Sequence, residues 1–112
     1  WMPGVALAGV SVAAAGWYHA LAIVNGQVYS WGLNRFGQLG SSRNAGSWRA
    51  NPQPLRISAP WSGAAVAVAA GGSHSLVLTA SGQVWAFGSN GKGQLGVATQ
   101  FGVWGGLVQV PV

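Results

Sequence analysis

The chain has 112 residues, half of them apolar, with five Lys and Arg and no Asp or Glu. Apart from the C-terminus, no carboxylate is available for acid–base or glycosidic chemistry or for a calcium or magnesium cage. Cysteine is absent too, which excludes disulfides, zinc thiolates and thiol nucleophiles.

The chain begins with Trp1 rather than Met, as expected of a processed product or a piece of something longer. No charged side chain precedes Arg35, and "GVALAGVSVAAAGWYHALAIV" (4–24) is apolar enough to suggest a span of about 20 residues. "SVAAAG" resembles the end of a signal peptide, but no basic segment stands ahead of it. Two features argue against both readings. Gly16-Trp17-Tyr18-His19 breaks the stretch in its middle, and a second apolar stretch, 63–79, is broken at the same place by Gly71-Gly72-Ser73-His74. Each stretch is therefore expected to be two short strands joined by a tight connection, in a chain that is soluble or peripheral rather than membrane-spanning. The compartment is not legible.

The first strand pair runs into Asn25-Gly26, the strongest two-residue hairpin signal. Before that turn Leu21 and Ile23 share a face. After it Val28 and Ser30 point one way, and Tyr29 and Trp31 the other. Apolar side chains on both faces imply a sheet covered on both sides, as when similar sheets stack. Gly32 ends this strand, and Gly37-Gln38-Leu39-Gly40 reads as a compact turn that tucks one Leu inward.

The segment 41–61, "SSRNAGSWRANPQPLRISAPW", holds Arg43, Arg49, Arg56, Trp48, Trp61 and three prolines. Arg and Trp are the residue types enriched where proteins bind one another. Arg43, Trp48, Arg49, Arg56 and Trp61 are thus the candidate partner-binding residues, with an ordinary connecting loop as the alternative. Four of the five cations lie between positions 35 and 56. A partner chosen by charge would be anionic: nucleic acid, an acidic protein or a charged lipid surface. A few solvated arginines that keep an apolar chain soluble would explain the same pattern.

The second half repeats the first. "AAGWYHALAIVNGQVYSWGLNRFGQLG" (14–40) aligns with "AAGGSHSLVLTASGQVWAFGSNGKGQLG" (69–96). Gly16, His19, Gly26, Gly32, Gly37 and Gly40 match Gly71, His74, Gly82, Gly88, Gly93 and Gly96. The offset grows from 55 to 56 at the hairpin, where Ala80-Ser81-Gly82 replaces Asn25-Gly26. A turn can lengthen by one residue while its strands keep register, so the gap supports the strand assignment independently. Leu76 and Leu78 stand for Leu21 and Ile23; Val84 and Ala86 for Val28 and Ser30; Trp85 and Phe87 for Tyr29 and Trp31. Ahead of the first AAG, Val10 and Val12 are one place out of step with Val66 and Val68. The two histidines are expected to sit apart in successive units, each a hydrogen-bonding strut beside its Gly turn.

The combination AAG-x-x-H, G-Q-V-aromatic and W/F-G-x-N-x-x-G-Q-L-G resembles the repeat of the regulator-of-chromosome-condensation (RCC1) family, twice over. The resemblance implies an all-β fold: blades of a seven-bladed β-propeller, each a four-stranded antiparallel sheet. About two blades are expected here, residues 1–62 with the connecting loop 41–61, then 63–112, where Val110-Pro111-Val112 resembles the start of a third. Acidic loop residues usual in the family are replaced by Asn and Ser.

The expected role is a non-enzymatic protein-interaction or scaffold module, part of a longer chain or an accessory subunit of a larger assembly. Its partners would be protein subunits, including those of a large or membrane-associated complex, with no cofactor, metal or small-molecule substrate. Chromatin or nucleic-acid association, and nucleotide exchange on a small GTPase, are the alternatives the resemblance brings. Gly16-Trp17-Tyr18-His19 is also similar to the Trp motif of the plant UV-B photoreceptor. Tyr18 stands where that motif has Arg, however, and the carboxylates of that receptor's dimer are missing.

Overall fold

The computed structural model describes residues 9–58, 61 and 63–89, and the backbone of strand 108–110. Val10–Ala15 (β1), His19–Val24 (β2), Gln27–Gly32 (β3) and Asn51–Arg56 (β4) form one antiparallel sheet in that order. Ala65–Ala70 (β5), His74–Thr79 (β6), Val84–Gly88 (β7) and Val108–Val110 (β8) form a second. The fold is all-β, two blades of a β-propeller. Among the described residues no helix is long and apolar enough to cross a membrane.

The turns follow their sequences. Asn25 and Gly26 both take positive φ, 50° and 75°, the backbone whose twist suits a two-residue hairpin. The longer turn closes with Thr79 N–H donating to the Gln83 carbonyl at 2.9 Å, and Gly82 takes φ 87°. In β2–β3 the register pairs Leu21 with Ser30 and Ile23 with Val28; in β6–β7 it pairs Leu76 with Ala86 and Leu78 with Val84.

The misfit of the leading valines also resolves. The register of β1 shifts between Val10 and Val12, and that of β5 shifts between Ala65 and Ala67. Val10 is thus the counterpart of Ala65 and Val12 that of Ala67, which makes Val68 the counterpart of Ala13. A one-residue shift swaps faces in a strand. Val12 and Val68 consequently both pack against the core between the sheets, one from each side.

That core is the junction of the two sheets. Leu21, Ile23, Val28, Ile57 and Trp61 meet Ala65, Val77 and Phe87 there, with Trp85 packed alongside. The Trp61 and Trp85 rings lie 6.1 Å apart at a tilt of 50°. Each large apolar side chain fully buried contributes about 1.5–3 kcal/mol. Leu21 and Ile23 are sealed, at 0% and 2% exposure, whereas Leu78, the counterpart of Ile23, is 38% exposed. Equivalent residues differ because they point the same way along the stack. Leu21 and Ile23 point at the second sheet. Leu76 and Leu78 point away from the first, on a face that also carries Val84 and an apolar cleft of about 220 Å³.

Candidate functional site

At the junction, His19 and its repeat partner are closer than the repeat suggested. His19 lies on β2 and His74 on β6, but the His19 ring reaches across to the second sheet, with Nε2 2.8 Å from Ser75 Oγ. Ser75 gives its one proton to the Gln38 carbonyl at 2.8 Å. It therefore accepts from His19 Nε2–H, and Nδ1 is the bare nitrogen, buried and without a partner among the described residues. Burial, the main cause, holds the imidazole at about 4 against an ordinary 6.5; the His74 backbone offsets part of this, and the His74 ring lowers it further. Each His ring also occupies the space over its own glycine: a methyl group on Gly16 would overlap His19, and one on Gly71 would overlap His74.

This geometry makes the chain acid-sensitive. The folded value lies below the unfolded one, so the stabilisation is complete above about 6.5 and is withdrawn as pH falls from there towards about 4. Stability should drop by about 2 kcal/mol between pH 7 and pH 5. With no acidic side chains, no side-chain carboxylate contributes to the change. Urea unfolding at the two pH values should show the loss in the native chain and a flatter profile in His19→Gln. A flat native profile would contradict a neutral, buried His19.

The β3–β4 loop is organised by Asn34, which is fully buried. Its Nδ2 donates to the carbonyls of Ser41 and Arg43 at 2.8 and 2.9 Å, and its Oδ1 accepts from Leu39 N–H at 3.0 Å. Gln38 Oε1 accepts from Phe36 N–H at 2.9 Å, and Leu39 is buried. Asn51 donates to the Gly32 carbonyl at 3.1 Å, fastening the far end of the loop to β3.

The five candidate binding residues do not converge. Arg43 turns inward: its Nη2 donates to the Ser30 carbonyl and hydroxyl at 3.0 and 3.1 Å, and its Nε donates to Ser41 Oγ at 3.1 Å. Burial lowers its pKa. Trp61 is part of the core. Arg56 sits at the hairpin end of the sheet, where it donates to Gln27 Oε1 at 2.9 Å beside a cleft of about 390 Å³. Trp48 and Arg49 are exposed at the opposite end, a strand length from Arg56.

That opposite end gathers residues the sequence did not join to them. Trp48 is 69% exposed, Tyr18 65% and Trp17 79%. The Arg35 guanidinium lies 4.6 Å from the Trp48 ring centroid, while its Nη1 donates to the Gly46 carbonyl at 2.8 Å. Tyr18, Leu33, Trp48 and Ala50 line a cleft of about 420 Å³. Leu33 N–H donates to the Tyr18 carbonyl at 2.8 Å, so the β1–β2 turn and the loop are one surface. Trp17 lies over Gly72, its own counterpart in the second sheet. Only exposed aromatics could have signalled this grouping, because Arg35 precedes the Arg- and Trp-rich segment. The glycines at 93 and 96 lie outside the described residues. Among the described residues no cluster of His suited to a metal ion occurs.

Comparison with known proteins agrees with the repeat. One model of the regulator of chromosome condensation (RCC1) repeat matches residues 25–78, and a second matches 10–38 and 65–94. The chain is 41% identical over 87 residues to the human probable E3 ubiquitin-protein ligase HERC4, covering 75% of this chain and 8% of that protein. Prp20p from Saccharomyces cerevisiae, whose crystal structure was described with its binding properties to Gsp1p and histones, superimposes with a TM-score of 0.72 at 30% identity. That match covers 81% of this chain and 21% of Prp20p. Human WBSCR16 superimposes with a TM-score of 0.77 at 26% identity, over 95% of this chain and 29% of that one. The chain thus spans a small part of each of these relatives.

Proposed function

This chain belongs to the RCC1 repeat family, and from that premise we propose that it is a non-enzymatic protein-interaction module, two propeller blades that present the β1–β2 turn and β3–β4 loop to a protein partner. The observation that carries the reading is the exposed set of Tyr18 on the β1–β2 turn with Trp48 and Arg49 on the β3–β4 loop, a loop fixed by hydrogen bonds through the buried Asn34. Large aromatics in water beside ordered arginine suit recognition. The chemistry left for an enzyme is thin, since the chain has no acidic side chain or thiol, and its two histidines support glycine turns.

The module works within a larger body. Val66 and Leu78 are 46% and 38% exposed on the second sheet. Each such face needs a neighbour, as repeat units with one uncovered apolar side do. A further unit of the same kind, on the same chain or on another subunit, would supply it. A second reading, an RCC1-type regulator acting at chromatin or nucleic acid or in nucleotide exchange, draws on the likeness to Prp20p, of which this chain spans 21%.

Pull-down of interacting proteins with the native chain and with Trp48→Ala/Arg49→Ala tests the reading. Recovery of a partner should fall at least severalfold in the double variant. Equal recovery of every partner would refute this surface as the binding site.

A further inference from the structure

We propose that the cleft between Tyr18 and Trp48 takes an acidic segment of a protein partner. An apolar side chain of that segment enters over Leu33 and Ala50, and flanking carboxylates meet the guanidiniums of Arg35 and Arg49. The inference deepens the interaction role proposed above and rests on it.

Three observations support it. The cleft is lined by two large exposed aromatics together with Leu33 and Ala50, so it suits a Leu- or Phe-sized group rather than a solvated one. Arg35 is already ordered, stacked 4.6 Å from the Trp48 ring and tied to the Gly46 carbonyl. A guanidinium carries five N–H donors in a fixed fork, and this tie uses one. A cation fixed in advance loses little freedom on binding. Finally, the chain has no Asp or Glu, so no side chain of its own can neutralise these arginines. A complementary carboxylate would come from beyond the side chains of these 112 residues.

The same observations weigh against a nucleic-acid strand here. A phosphate backbone is tracked by a run of cations, and affinity grows with the number of phosphates neutralised. Arg43 is turned into the sheet and Arg56 lies at the far end of β4. Among the described residues that leaves Arg35, over the Trp48 ring, and the exposed Arg49, between Trp48 and Ala50 in the chain, enough for two carboxylates and few for a strand.

The test is fluorescence anisotropy of the full chain with three labelled probes: a short peptide alternating Glu with Leu and Phe, the same peptide with Gln for Glu, and an oligothymidylate. The Glu peptide should bind, more weakly as salt rises. The Gln peptide should bind at least about tenfold more weakly, and so should the Glu peptide to Trp48→Ala and to Arg35→Gln/Arg49→Gln. Arg56→Gln carries a single charge loss away from the cleft and should bind the Glu peptide as the native chain does. Circular dichroism and melting of every variant establish that the sheets are intact. Equal binding of the Gln peptide, equal binding by the Trp48 variant, or tighter Trp48-dependent binding of the oligothymidylate would overturn the proposal. If partner recovery in the pull-down depends on Trp48 while the Glu peptide fails to bind, the acidic assignment falls and the interaction role stands.

Discussion

Phe87→Ala is expected to cost about 3–5 kcal/mol, a large share of the roughly 5–15 kcal/mol that holds a domain folded. Phe87 has no exposed surface. It enters the junction from β7, close enough to Gly40 that a Cβ there would stand 3.2 Å both from its Cε2 and from Ile57 Cδ1. The ring is part of the buried, packed junction, so the transfer loss and the cavity add. Leu78→Ala is the informative comparison. Leu78 is also apolar and also in the second sheet, yet it is 38% exposed on the face turned away from the first. Its truncation should cost about 1 kcal/mol or less. Urea unfolding followed by tryptophan fluorescence measures both. Similar losses in the two variants would mean that the faces have been assigned wrongly.

Asn34→Ala should cost about 3 kcal/mol and should also abolish binding at the cleft. One side chain satisfies two carbonyls and one N–H, those of Ser41, Arg43 and Leu39. Its removal strands backbone groups in a loop that has no strand ladder to replace them, at about 1–3 kcal/mol for each group left dry. The effect should spread along a traceable route. The Arg43 carbonyl would lose its Asn34 bond and keep only Asn51 at 3.3 Å. The Arg43 side chain would then hold Ser30 less well, and the approach of Arg35 to Trp48 would loosen. Hydrogen exchange at the Leu39 amide and the emission of Trp48 report the two ends of that route. Protection unchanged at Leu39 would contradict the role given to Asn34.

The fold was largely legible because the sequence states it twice. Two copies aligned at His19 and His74 show where letters must agree, and the single extra residue falls in a hairpin, where Asn25 and Gly26 take positive φ and Gly82 does the same. The meaning of Val10 and Val12 was not legible, since letters show a slip without showing which face a strand turns to its neighbour. The bulges in β1 and β5 decide that. Direction along the stack was hidden for the same reason: Ile23 and Leu78 look equivalent in sequence, and only a second sheet on one side makes one core and the other surface.

The candidate site was legible in kind and not in membership. Arg- and Trp-rich composition marks a segment, but whether an arginine turns inward depends on acceptors distant in sequence. Arg43 meets Ser30, thirteen positions back. Arg35 and Trp48 are joined by a loop path set by Asn34, Gly46 and Asn51, a contact that no local spacing rule describes. The pattern suggests the histidines as struts, and each ring lies over its own glycine. The crossing from His19 to Ser75 required knowing which sheet faces lie together.

The most direct test of two stacked copies of one sheet is the pattern of nuclear Overhauser contacts in the native chain. Antiparallel cross-strand contacts should run between residues 19–24 and 27–32 and again between 74–78 and 84–88, with contacts across the sheets from Trp61 to Trp85 and from the His19 ring to Ser75. Helical contacts through 10–24, or two sheets with no contact between those pairs, would contradict the account.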